Sequence, residues 1–190
     1  MLIMPYRLAH ARILIVDDSR VSLTIITEAL SKAGFQTIEK ASDGLEAVEK
    51  TRIFKPDLVI LDIRMPKLDG FGYCEQARKD SDIPHMPIIV QTALEDRETK
   101  LRALSSGADD FLNKPADPIE LSLRARVHLE RYFMLEDMRN MCDYLKMELD
   151  QAQSVMRQMS DASVSNKTMH MLNRHYEVLE AMTVLPSVTH

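Results

Sequence analysis

The sequence predicts an α/β fold: a five-stranded parallel, doubly wound sheet followed by an extended α-helical, coiled-coil-like tail. Three observations predict it. Short branched apolar runs alternate five times with segments of helical periodicity between residues 12 and about 130. The runs lack the alternation of a half-exposed strand, which places them in a sheet covered on both faces. Past residue 130, helix-forming residues continue without Gly or Pro to about Met159.

Arg12–Val16 reads RILIV and stops at Asp17 and Asp18, the pattern of a buried parallel strand with acids at its carboxyl end. Val21–Ala33 follows as a helix, with Val21, Ile25, Leu30 and Ala33 on one expected face and Gly34 as its stop. The pairing then repeats. Gln36–Lys40 precedes a helix over Gly44–Phe54, Asp57–Leu61 one over Leu68–Lys79, and Met86–Gln91 one over Arg97–Ser106. Asp110–Asn113 precedes a long helix from about Asp117. Strands alternating with helices at this spacing imply right-handed crossovers and five helices about five strands.

The bulk properties narrow the function. A chain of 190 residues holds one well-buried core and an appendage. Its formal charge of -5 offers no general attraction to nucleic acid or an anionic membrane, and residues 117–190 carry eight Lys or Arg against eleven Asp or Glu. We therefore expect no direct nucleic-acid contact. Cys74 and Cys142 lack metal or redox spacing, which fits a reducing, cytoplasmic setting. The apolar residues of the first twelve are interrupted by Pro5, Arg7 and His10, against a signal peptide, and no run approaches the roughly 20 apolar residues of a membrane span.

In an open parallel sheet, functional groups collect beyond the carboxyl ends of the strands. Asp17 and Asp18 follow the first strand, Asp62 the third, Thr92 the fourth and Lys114 the fifth. Crowded carboxylates repel one another unless a cation sits among them, and Mg2+ prefers such hard oxygen ligands. Asp17 and Asp18 suit that role, Asp62 that of a nucleophile toward an activated phosphoryl group, and Lys114 that of a charge partner for its oxygens. Thr92 offers a hydroxyl to another oxygen. Taken singly, these residues have plainer readings: Asp18 or Ser19 as a helix cap, Thr92 as a strand end, Lys114 as a surface ammonium. The set is specific where its members are not.

The motifs ILIVDDS at 13–19, LVILDIRMPKLDG at 58–70, PIIVQTA at 87–93 and GADDFLNKP at 107–115 make residues 12–130 resemble the receiver domain of bacterial two-component response regulators, a flavodoxin-like fold. The resemblance implies Asp62 as phosphoacceptor, Asp17 and Asp18 as metal-site acids, and Asp62 with the Arg64 backbone carbonyl completing a Mg2+ site. It implies Thr92 and Phe111 as switch residues, Lys114 as the phosphate-binding lysine, and a cis peptide at Lys114–Pro115. It further implies self-catalysed, Mg2+-dependent phosphoryl transfer and dephosphorylation without a separate enzymatic output. The donor would be a phosphohistidine on a histidine kinase or histidine phosphotransfer protein.

The expected organisation is an N-terminal extension (1–11), the receiver (12–130), an extended helix (131–160), a hinge (161–166) and a final helix and tail (167–190). Met134, Met138, Met141, Leu145, Leu149, Ala152, Met156 and Met159 recur at steps of three and four, with a stutter resembling an eleven-residue repeat. This stripe either joins two protomers or packs on the chain's own last helix through Met169, Leu172, Tyr176, Leu179 and Met182. The greater length of the first helix favours a homodimer. The expected function is a phosphorylation-controlled interaction module. The alternative is the regulatory portion of a larger enzyme, a serine phosphatase or diguanylate cyclase, to which the run YLKMELDQAQSVMRQM bears a loose likeness.

Overall fold

The structure is a computed structural model that describes residues 5–93, 97–161 and 166–183. The elements, in chain order, are α1 (Tyr6–Ala9), β1 (Arg12–Val16), α2 (Arg20–Lys32), β2 (Thr37–Ala41), α3 (Gly44–Phe54) and β3 (Leu58–Asp62). There follow α4 (Gly70–Lys79), β4 (Ile88–Thr92), α5 (Arg97–Ser105), β5 (Asp110–Asn113), α6 (Pro118–Asp161) and α7 (Asn166–Thr183). The five strands are parallel in the order β2-β1-β3-β4-β5. Strands β1 and β5 have the expected bounds, and β2, β3 and β4 run one residue further than read, so that Asp62 and Thr92 close their strands.

Two cores sandwich the sheet, because successive strand side chains point to opposite faces. Leu14, Val16, Val59, Leu61, Ile88 and Val90 meet α3, α4 and α5 through residues such as Ala47, Phe71 and Ala103. Ile13, Ile15, Leu58, Ile60 and Ile89 meet α2 and α6 through Ile26, Leu30, Leu121, Ala125 and Leu129. The short α1, which the sequence reading left as an extension, places Leu8 in this second core. The edge strand β2 is covered least and carries charge: Lys50 of α3 reaches Glu39 at 2.9 Å. Such charge guards an open edge against pairing.

The expected face of α2 is corrected. Val21 and Ile25 are 69 % and 55 % exposed, and Ile26, Ala29 and Leu30 are the residues that face the sheet. The helix carries apolar residues on adjoining stripes, and periodicity alone does not say which stripe the sheet takes.

The chain divides into two compact units, residues 1–133 and 134–190. In the first, α6 buries Leu121, Ala125, Leu129 and Phe133, one residue per turn. In the second, the Gln153 amide donates to the Tyr176 hydroxyl, tying α7 to the later part of α6. Leu145, Leu149, Ala152, Met156, Leu172 and Tyr176 are half-buried there, whereas Met134, Met138 and Met141 are exposed. Residues 162–165 of the expected hinge, and the side chains of Met159, Met169, Leu179 and Met182, lie outside the described residues. Among the described residues no helix is long and apolar enough to cross a membrane.

The corrected face of α2 has a direct check. Ile26→Ala should cost about 2–5 kcal/mol in urea unfolding, and Val21→Ala should stay within about 0.5 kcal/mol.

Candidate functional site

The carboxyl ends of β1, β3, β4 and β5 converge on one rim, and helix caps hold the loops that leave it. Ser19 is the N-cap of α2, accepting from the Ser22 amide at 3.3 Å, so of the two cap candidates it is Ser19 and not Asp18 that serves. Asp69 caps α4 through the Gly72 amide at 2.7 Å. Asp43 caps α3 through the Leu45 and Glu46 amides, both at 3.0 Å, and also binds the ammonium of Lys67 in the loop after β3. The Lys67 contact, together with those two amides, holds the Asp43 carboxyl below the usual carboxylate range, against the opposing effect of burial.

Asp17 is 1 % exposed; one oxygen accepts from the Ser19 amide at 2.9 Å and the other from the Lys114 ammonium at 2.6 Å. The same ammonium lies 2.9 Å from Asp62, whose other oxygen accepts from the Ile63 amide at 2.8 Å. Asp18 is exposed, yet carboxylate oxygens of Asp17, Asp18 and Asp62 all lie within 4.8 Å of one another. With all three ionised, one lysine leaves two negative charges uncompensated. Burial raises the Asp62 pKa, and the nearby Asp17 adds to this, while Lys114 and the Ile63 amide work the other way.

The strand ends are locked in turn. The Lys114 amide donates to the Thr92 carbonyl at 2.8 Å, setting the last residue of β4 against the one that follows β5, and Lys114–Pro115 is cis. Thr92 is buried, Phe111 is half-buried on β5 opposite Val90, and Arg64 is an exposed residue of the loop after β3. Gly70 closes that loop by donating to the Ile63 carbonyl at 2.9 Å. A Cβ on Gly70 would lie 2.5 Å from the Asp62 carbonyl oxygen, so only glycine lets α4 start this close to the acid.

The structure thus brings Asp17, Asp18, Asp62 and Lys114 into one cluster, with Thr92 on the adjoining strand. Four strand ends delivering this set is the arrangement that the motifs led us to expect, and comparison with known proteins decides its family. The profile of the response regulator receiver domain matches residues 13–126. The chain belongs to the response regulator receiver family.

The receiver is 47 % identical over 120 residues to the Guillardia theta protein named "Probable transcriptional regulator ycf27", covering 63 % of this chain and 46 % of that one. It is 37 % identical over 120 residues to the DNA-binding dual master transcriptional regulator RpaA of Synechocystis, covering 63 % and 49 %. The solved receiver domain of the Francisella response regulator 1452 superposes with a TM-score of 0.60 at 30 % identity, covering 64 % of this chain and 98 % of that one. The chain spans about half the length of these curated relatives. They are named as transcriptional regulators, so the expected alternative of a phosphatase or cyclase output finds no support among them. A DNA-binding relative also removes the ground for excluding nucleic acid as a partner of the whole protein.

Sequence reasoning passed over Gln91, Asp43 and Lys67. Asp43 and Lys67 become partners only through the fold, while the polar Gln91 directly after the apolar run IIV of β4 was a signal open to reading.

A raised Asp62 pKa means that the folded receiver holds this proton more tightly than the unfolded chain. Stability should therefore fall as pH rises from the ordinary carboxylate value, near 4, through the raised one. Asp62→Asn should remove that slope and raise the melting temperature of the metal-free protein at pH 7 by a few degrees, about 2–4 °C for each kcal/mol, in thermal scans from pH 4 to 8.

Proposed function

We propose that this receiver accepts a phosphoryl group on Asp62 from the phosphohistidine of a histidine kinase or histidine phosphotransfer protein, and that the phosphate changes how the chain pairs or docks. The observation that carries the reading is the placement of the Lys114 ammonium between Asp17 and Asp62, with Asp18 beside them. A buried carboxylate flanked by an ammonium and two further acids is arranged for a reaction that brings in anionic oxygens and a cation together.

An oxygen of Asp62 attacks phosphorus, the P–N bond breaks, and its electron pair leaves on the donor imidazole. The Ile63 amide and Lys114 hold the Asp62 carboxylate in place for the attack. Lys114 then moves its charge onto the phosphoryl oxygens, and the Thr92 hydroxyl donates to one of them. That displacement of Thr92, with Phe111 on the neighbouring strand, is the switch. Hydrolysis of the acyl phosphate by the same constellation resets it.

The donor set fits Mg2+: three carboxylates whose oxygens lie within 4.8 Å of one another are hard ligands of the right charge. Asp17, Asp18, Asp62 and the Arg64 carbonyl would hold the ion. When bound, it neutralises the phosphoryl oxygens.

Exposed Met134, Met138 and Met141, in the part of α6 that precedes its bond to α7, support a homodimer through the extended helix. Methionine is an adaptable apolar contact for such a partner. The free thiols of Cys74 and Cys142 agree with a reducing cytoplasmic setting.

Acetyl phosphate with Mg2+ should label the wild-type chain and not Asp62→Asn, and Lys114→Ala should slow labelling by about a hundredfold, read by intact-protein mass. Full labelling of Asp62→Asn would sink the assignment. Light scattering with Mg2+ and beryllofluoride should show a dimer in wild type that weakens in Met138→Glu, and a monomer under every condition would remove the dimer.

A further inference from the structure

Between α2 and the start of α6, on the sheet face that carries Ile60 and Ile89, lies a cleft of about 300 Å3. Its walls are largely apolar, with Ile25, Ile26 and Ala29 from α2, Pro115 and Ala116 from the loop after β5, and Leu121 from α6. One wall residue has a different character. Gln91 of β4 is 2 % exposed, and its Nε2 is buried without a hydrogen-bond partner among the described residues. Its neighbour on β5 is Leu112, which packs in the apolar core. A leucine or methionine at position 91 would satisfy sheet and core alike, whereas a buried amide hydrogen without an acceptor is costly. Gln91 lines this apolar cleft and carries an unpaired donor in the same side chain, and a half-turn of the amide about its Cγ–Cδ bond exchanges Nε2 and Oε1. A few polar groups that fix the orientation of an otherwise apolar ligand are the usual construction of a small-molecule site.

We propose that this cleft binds a small neutral organic molecule with an apolar body and one carbonyl-type acceptor, and that the acceptor takes its hydrogen bond from Gln91 Nε2. The lining selects the apolar body. The volume sets the size at the lower end of small-molecule clefts. The charge distribution selects neutrality: Lys114 also lines the cleft, but its ammonium lies between Asp17 and Asp62, so an anion would approach those carboxylates with their cation already engaged. The proposal stands on the cleft and the unpaired amide and needs no chemistry at Asp62. Lys114 nevertheless belongs to both places, so an occupant packs against a residue that faces the phosphoacceptor position.

The test is a titration of the 15N-labelled full chain with acetophenone, ethylbenzene and benzoate, which share a ring and differ in offering a neutral acceptor, none, or an anion. Acetophenone should shift the amide signals of Ala29, Ala116 and Leu121 and the side-chain NH2 of Gln91 saturably, about five- to tenfold more tightly than ethylbenzene or benzoate. Gln91→Leu should keep ethylbenzene binding and lose the preference for acetophenone, and Gln91→Met serves the same comparison if Gln91→Leu does not fold. Equal affinity for acetophenone and ethylbenzene in wild type, a preference that survives loss of the Gln91 amide, or no saturable shift at cleft residues from any probe would overturn the proposal.

Discussion

The ammonium of Lys114 makes the rim of this sheet possible. Asp17 directly follows β1 and Asp62 closes the neighbouring β3, and both are largely withdrawn from water, an arrangement that would push them apart without a shared cation. Lys114 supplies it from 97 residues away from Asp17, at 2.6 Å. Its own backbone is held by Thr92 on the strand between. The carboxyl ends of β1 and β3 and the course of the chain after β5 thus meet at one side chain, and the cluster still carries more acid than base. A folded protein keeps such an imbalance at a cost, and costs of this kind cluster at functional sites.

The candidate site was legible in the sequence because residue type exposes it. An acid, a hydroxyl or a lysine directly after a branched apolar run is out of place in packing terms, and five such residues share one rim by topology alone. The element pattern was legible for a related reason: buried parallel strands read as unbroken apolar runs, and four of the helices about the sheet have polar stops or caps. What stayed hidden depends on orientation. Ile25 and Ile26 differ by one position, and only the sheet decides that Ile26 lies inside. Gly70 falls inside the helix expected over Leu68–Lys79, and only the approach of α4 to the Asp62 carbonyl shows why no other residue fits. Asp43 and Lys67 have no common motif and meet because the start of α3 and the loop after β3 lie side by side.

The tail divides along the same line. Its apolar stripe was visible as spacing, but spacing does not name a partner. In the second unit the half-buried part of the stripe coincides with the region where Tyr176 accepts from Gln153, and the exposed methionines precede it. The self-association proposed for the exposed methionines would therefore use a different part of the stripe from the half-buried part and would not compete with it.

Asp17 and Asp18 are adjacent and identical as letters, yet the fold makes them unequal. Asp17 has no freedom: both of its oxygens are engaged, one by the Ser19 amide and one by Lys114, inside the protein. Asp18 stands in solvent. The two positions face different surroundings: buried with both oxygens paired at the first, exposed to solvent at the second. Two neighbouring copies of one amino acid thus meet two environments that the alphabet of the sequence does not show.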